Sequence, residues 1–497
     1  MAFRFFDVIV APVAVFCVII PGWLAAQSEG PDTAAYRQFI FEQRELSRQL
    51  SDHIYGDYAA FYRQALPAFT RQLDSLKLPF DRLLGRYAPD LAPEIVTDDS
   101  LGTAYFFHRL LLEYPTLHFD FTGEQVHLDV RSRRRLIALE KDFDRPDYLA
   151  NRDFRDYVAT HLRLEKDSLV RTGAYASSNN QWLAAYWDAI ESIFAGTQVR
   201  AFWKNKMLSA HLVDFGAKGV DTFIYDLMER YPNAEGVAQT AELFATQQAA
   251  RADHRTEVYR TVDGFDLDLH LFLPDSSKTT EPVPAVVYFH GGSWTEGKPD
   301  YFFGEGRGYA DRGWAGISVE YRIGGRHGTQ PVHAVADAVA AIRWLRANAD
   351  RLGIDPRRIL ATGNSAGGHL ALMTAQQAES EGAKPDALMV VSGVYDLVDV
   401  PNTKWIARSA PAGTRVTDIS PNHLTARSLP PTLLVHGSAD RNCPYATARE
   451  FHAATTERGE QVQLYTVRGG ENFIWFGPYA GEVARVKSRF IDELGWQ

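Results

Sequence analysis

Apolar residues recur at three- and four-residue spacing through the first half of the chain, and gather into short compact runs in the second half. The first rhythm predicts helices between about residues 31 and 250, among them Tyr36–Leu50, Tyr58–Leu73 and Trp182–Ile193. Pro67 is expected to kink or divide the second of these. Breakers separate the predicted segments: Gly56, Pro79, Pro93, Pro115, Gly173, Gly196 and Pro232. Leu117–Val130 alternates instead, with His118, Asp120, His127 and Asp129 at every second or near-second place, and predicts a small hairpin about Thr122-Gly123-Glu124.

Near residue 255 the period changes. Glu257–Arg260 and Leu267–Leu273 flank Asp263-Gly264, the pattern of a two-residue hairpin turn. Compact apolar strands follow at Ala285–Phe289, Ala315–Val319, Ile359–Ala361, Ala387–Val391, Thr432–Val435 and Val462–Val467. A helix starts at Pro331, carries Val332, Val335, Val339, Ile342 and Leu345 on one face, and stops near Gly353. Strands alternating with helices give a mostly parallel sheet flanked by helices, an α/β class. The expected division is a leader at 1–26, a mainly α-helical domain at 27–252 and an α/β domain at 253–497.

Composition narrows the partners. The net charge of -10 offers no basic footprint, which excludes nucleic acid. Arg4 followed by an uncharged apolar run from Val8 to Ala26, ending Leu24-Ala25-Ala26, reads as a signal peptide cut after Ala26. An exported, periplasmic or extracellular protein without stable membrane insertion is the expectation. Of the two cysteines, Cys17 would leave with the leader and Cys443 would remain as one thiol, so no disulfide and no cysteine-based zinc site is expected. The His118, Asp120, His127 and Asp129 set is read as polar positions on a half-buried hairpin rather than as metal ligands, and no cofactor is expected.

Three motifs carry chemistry. Gly363-Asn364-Ser365-Ala366-Gly367-Gly368 lies between the strand Ile359–Ala361 and the helical run His369–Ala375, the strand–turn–helix setting of a nucleophile elbow. Residues two before and two after such a serine pack too closely for side chains, which Gly363 and Gly367 satisfy. His290-Gly291-Gly292-Ser293-Trp294 follows a strand and leaves backbone N–H groups free to face an oxyanion, with Ala366 supplying another. His290 is read as fixing its own loop. Asp440, in His436-Gly437-Ser438-Ala439-Asp440, stands where an acid that orients an imidazole belongs. Asp396 is read as a loop-fixing carboxylate.

Residues 255–497 resemble the α/β-hydrolase fold, in the esterase/lipase group related to acetyl esterases and hormone-sensitive lipase. The residues that carry this are HGGSW at 290–294, EYR at 320–322, RHGTQP at 326–331, GIDPRRI at 353–359, GNSAGGHLAL at 363–372 and HGSAD at 436–440. The resemblance implies a carboxylic-ester hydrolase acting on a small-molecule ester, with Ser365 as nucleophile, Asp440 as triad acid, and Gly291, Gly292 and Ala366 as oxyanion donors.

The same resemblance implies a histidine after the last strand. Val462–Val467 leads instead into Arg468-Gly469-Gly470-Glu471-Asn472-Phe473, and no histidine follows His452. The slot holds Glu471 or Asn472. Asn472 has no basic nitrogen; Glu471 could take a proton, and a close carboxylate pair with Asp440 would raise one pKa. His327 lies where active-site loops gather but already has a place in the RHGTQP pattern, His369 is read as packing or capping one helical turn after the serine, and His333, His423 and His452 sit at unhelpful positions. Two readings stand: an exported esterase with an unusual base, and a catalytically silent hydrolase fold that binds an ester, a glycan or a protein partner.

Overall fold

The structure, a computed structural model, describes residues 34–275, 281–377, 384–400, 403, 406, 410–411, 413–424 and 428–496. The apolar run expected to be a leader lies outside the described residues. Among them, no helix is long and apolar enough to cross a membrane.

The chain forms two compact units, one running through Gly173 and including Ala185–Lys204, the other comprising Ala174–Ala184 and everything from Asn205 onward. The position near 252 expected as a boundary thus falls inside the second unit. The helical unit contains α1 (Ala34–Tyr55), α2 (Tyr58–Arg63), α3 (Leu66–Tyr87), α4 (Pro93–Thr122), α5 (Val130–Glu140) and α6 (Arg152–Arg171). Pro67 does divide its segment: it stands in the first turn of α3, where its missing N–H has no helical acceptor to lose. Pro93 opens α4 in the same way.

Two breaker assignments are corrected. Pro79 and Pro115 lie inside α3 and α4. Each removes one backbone hydrogen bond, but buried residues on both sides hold the helix, Leu73 and Phe80 around the first, Tyr114 and Leu117 around the second. The hairpin expected at 117–130 is also absent. Gly123, at φ 78°, ends α4, and the Asp129 carboxylate accepts the Ser132 N–H to cap α5. His118 is buried on α4, with Nδ1 2.8 Å from the Tyr62 carbonyl oxygen. Its alternation with Asp120 is therefore helical. Among the described residues, no cluster of three or more His, Cys, Asp or Glu side chains could hold a metal ion.

The other unit is built on eight strands: β1 (Arg255–Val262), β2 (Phe265–Phe272), β3 (Val283–Phe289), β4 (Ala315–Val319), β5 (Ile354–Asn364), β6 (Ala387–Val391), β7 (Thr432–Gly437) and β8 (Val462–Val467). Their order is β1-β2-β4-β3-β5-β6-β7-β8. β1 and β2 form the antiparallel hairpin, turning through Asp263 and Gly264 with φ of 54° and 83°. From β4 to β8 every neighbour pair is parallel. Central strands β3, β4 and β6 are buried along their full length, as a sheet covered on both faces requires. Val287, Phe289, Ala361 and Leu434 face one core; Val286, Tyr288, Leu360 and Val435 face the other.

Helix α7 (Pro331–Ala347) covers the first face through Ala334, Val335, Ala338, Ala341, Ile342 and Leu345. Val332 and Val339 are only half-buried, because the small alanines take the inner positions. Helix α8 (Ala366–Gln376) is buried throughout and starts directly at the end of β5. Helix α9 (Ala480–Leu494) closes the opposite face with Val483, Val486 and Phe490.

Candidate active site

Parallel strands send their C-terminal ends to one edge of the sheet, and the loops that follow β3, β5, β7 and β8 there carry the four chemical motifs. The turn between β5 and α8 puts Ser365 at φ 52°, ψ -120°, a conformation that L-residues rarely adopt. Backbone sterics explain its flanking glycines. A Cβ on Gly367 would lie 1.9 Å from the Phe289 carbonyl oxygen, and one on Gly363 would lie 2.5 Å from the same atom. The turn is held by the Ser365 N–H bonding to the Val391 carbonyl oxygen at 3.1 Å. Ser365 itself is half-buried.

Gly291 and Gly292 approach this turn from the end of β3. A Cβ on Gly291 would meet Asn364, and Gly292 sits at φ 118°, followed by Ser293 at 50° and Trp294 at 61°. Among the described residues, the N–H groups of Gly291, Gly292 and Ala366 donate to no backbone carbonyl. Ala366 opens α8, so the positive end of that helix's dipole adds to the donor set. His290 is a loop brace: its ring stacks on Tyr321 with centroids 4.2 Å apart, and the Tyr321 hydroxyl donates to the His290 carbonyl oxygen at 2.6 Å. Burial lowers its pKa to about 4.

Asp440 is buried on the loop after β7. Its Oδ1 accepts the N–H groups of Asn442 and Cys443 at 2.9 and 2.8 Å, and its Oδ2 accepts Asn472 Nδ2 at 3.0 Å. Burial pushes the carboxyl up to about 6 against the lowering effect of those donors. Glu471 adds only a minor upward push, so the raised value comes from desolvation rather than from a close carboxylate pair. The loop after β8 alternates, Gly470 and Asn472 buried, Glu471 and Phe473 exposed. Asn472 thereby joins the cluster and Glu471 stands out in solvent.

One member of the cluster went unassigned from the sequence. Cys443 Sγ lies 3.3 Å from Asn472 Nδ2 and 3.8 Å from Ser365 Oγ. Its signal was its place, three residues beyond the acid on the same loop. Burial raises the thiol pKa well above its ordinary value, so it stays protonated. His436 is the histidine nearest the acid, with Nε2 3.4 Å from Asp440 Oδ2, but that nitrogen also bonds the Cys443 carbonyl oxygen at 2.7 Å. Burial lowers its pKa to about 4.

Among the described residues, no histidine nitrogen lies within hydrogen-bond distance of Ser365 Oγ. His369 bonds the Ile419 carbonyl oxygen at 2.7 Å, and His327 Nδ1 accepts the Ile323 N–H at 3.1 Å. His333 accepts the Gln330 N–H to cap α7, and His423 lies 3.0 Å from Ser420 Oγ. His452 faces Thr456 on its own helix. Asp396 accepts the N–H groups of Val398 and Asp399, which fixes its loop.

The remaining motifs are architectural. Glu320 pairs with Arg326 at 2.7 Å and Lys218 at 2.5 Å, all within the sheet unit. Arg322 grips the fully buried Asp337 through Nε and Nη2 at 2.9 and 3.0 Å and through its backbone N–H at 3.0 Å, and Arg260 adds a bond at 2.7 Å. These pairs anchor the loop after β4 to α7 and to the hairpin.

Residues 268–455 match the BD-FAE family. Esterase LipC of Mycobacterium tuberculosis (strain ATCC 25618 / H37Rv) is 31% identical over 251 residues, which is 43% of this chain and 59% of that protein. Carboxylesterase NlhH of Mycobacterium tuberculosis (strain CDC 1551 / Oshkosh) is 37% identical over 138 residues, 27% of this chain and 41% of that protein. The chain thus spans about half the length of these curated relatives. Among solved structures, the thermophilic esterase Est2 of the Planctomycetes species Thermogutta terrifontis is 32% identical, with a TM-score of 0.45, over 49% of this chain and 93% of that one.

Proposed function

We propose that this chain, whose C-terminal half is an α/β-hydrolase of the esterase and lipase group, is a carboxylic-ester hydrolase that works through an acyl-enzyme on Ser365 and is confined to activated esters. The observation that carries this reading is the strained backbone of Ser365, φ 52°, beside N–H groups of Gly291, Gly292 and Ala366 that no backbone carbonyl engages among the described residues. Backbone strain held in the turn between β5 and α8, at φ 52° with ψ -120°, supports reading Ser365 as a residue the site uses. Ser365 Oγ attacks the ester carbonyl, and the three N–H groups hold the oxyanion. Asn472 takes the place of the triad base. It holds Asp440 but cannot accept the serine proton, so that proton passes to solvent water as Oγ bonds the acyl carbon, the leaving group departs as an anion, and water later releases the acyl group.

A good leaving group escapes this handicap and an alkoxide does not. Purified protein should therefore hydrolyse p-nitrophenyl acetate far faster than ethyl acetate, with Ser365→Ala at background on both. Equal rates on the two esters would overturn the reading. A small acyl group, for example acetyl on a carbohydrate, is what the family resemblance suggests. The second reading, a silent site that binds an ester or glycan ligand, is favoured by one observation: an amide, not a base, faces Asp440. We further propose that the chain is exported after cleavage behind Ala26; the N-terminus of the secreted protein, read by mass spectrometry, tests it.

A further inference from the structure

The side chain that faces Asp440 copies half of a histidine. Asn472 Nδ2 and an imidazole Nδ1 are each two bonds from Cβ, and Nδ2 gives Asp440 Oδ2 the N–H that Nδ1 would give, at 3.0 Å. The nitrogen, not the oxygen, must face that side, because Asp440 presents an acceptor there. The same nitrogen then lies 3.3 Å from Cys443 Sγ, so the sulfur is the acceptor of an amide hydrogen. The thiol is buried and protonated. Among the described residues, the oxygen within reach of its hydrogen is Ser365 Oγ, 3.8 Å away.

We propose that Cys443 is a positioning residue that holds Ser365 with its hydrogen-bond polarity reversed, the thiol giving its hydrogen to Oγ and the serine O–H turned toward the ligand. This rests on reading Ser365 as the nucleophile. In an attacking serine the hydroxyl proton points toward the acid–base pair, and Oγ is the donor on that side. Here that side is occupied by a donor chain running from Asn472 through Cys443 to Ser365. Supplying a base at position 472 is then not enough to give fast attack; the thiol hydrogen must go as well.

The test compares rates of labelling by a fluorophosphonate in full-length Asn472→His, Asn472→His/Cys443→Val and Asn472→His/Cys443→Ser. Valine removes the donor hydrogen, whereas serine keeps it. The double variant with valine should label at least about tenfold faster than Asn472→His, a small part of what a competent base contributes. Its rate should rise with pH through the imidazole range, near about 6.5. The serine variant should stay as slow as Asn472→His. Thermal melts establish that each variant folds, and Asn472→His/Cys443→Ala substitutes for the valine variant if that one does not. The proposal is overturned if all three label at one rate, if serine accelerates as valine does, or if the valine variant shows no pH dependence. Because only variants are compared, the outcome is independent of whether the unmodified protein turns over esters.

Discussion

Asp440 makes folding stability depend on pH in a calculable way. Its carboxyl moves from 3.8 to about 6 on folding because burial penalises the charged form. The folded state therefore binds its proton more tightly than the unfolded chain does. The resulting stabilisation is fully present below pH 3.8 and is lost as pH rises through about 6. A shift of roughly two units corresponds to about 3 kcal/mol at ~1.4 kcal/mol per unit, an upper estimate for one group. Asp440→Asn cannot ionise, and Asn472 can rotate its amide to present an oxygen to the new side chain. Urea unfolding of the sheet unit, followed by tryptophan fluorescence at pH 4 and pH 8 in both proteins, isolates the effect, since all other titrating groups cancel in the double difference. The variant should gain about 2–3 kcal/mol on the parent between those pH values. Parallel stability curves, separated by a constant amount, would refute the reasoning.

Two further outcomes are expected. Replacing Ser365 by glycine should abolish labelling yet yield a protein about 1–2 kcal/mol more stable than Ser365→Ala, because glycine tolerates φ near 52° and alanine does not; equal denaturation midpoints would argue against backbone strain. Asp337→Ala should cost about 3–5 kcal/mol by taking the buried carboxylate from Arg322 and leaving it only the exposed Asp263, and a loss below about 1 kcal/mol in urea unfolding would contradict an anchoring role.

How legible the site was depended on how local its physics is. The elbow was readable because its constraint is short-range: Gly363 and Gly367 are required by the 2.5 and 1.9 Å approaches of one carbonyl oxygen. The Asp263-Gly264 hairpin and the buried central strands were readable for the same reason, each being set by a few neighbouring residues. The slot after β8 was not. Glu471 and Asn472 differ by one position, and in an irregular loop no periodicity says which turns inward; only the packing of Asn472 against Asp440 and Cys443 decides it. Cys443 was invisible as a neighbour of Ser365 because 78 residues separate them and the acid loop must fold before they meet. At Leu117–Val130 the alternation of His and Asp was a coincidence of composition, overridden by the helical face that buries Tyr114, Leu117 and His118 together.

The central claim is that Ser365 remains a nucleophile although an amide stands beside Asp440. Time-resolved labelling of the unmodified full-length protein with a fluorophosphonate, beside Ser365→Ala, tests it most directly. The account predicts slow labelling that reaches completion and disappears in the alanine variant. No labelling of the unmodified protein at long times would contradict it and would leave ligand binding as the function of the site.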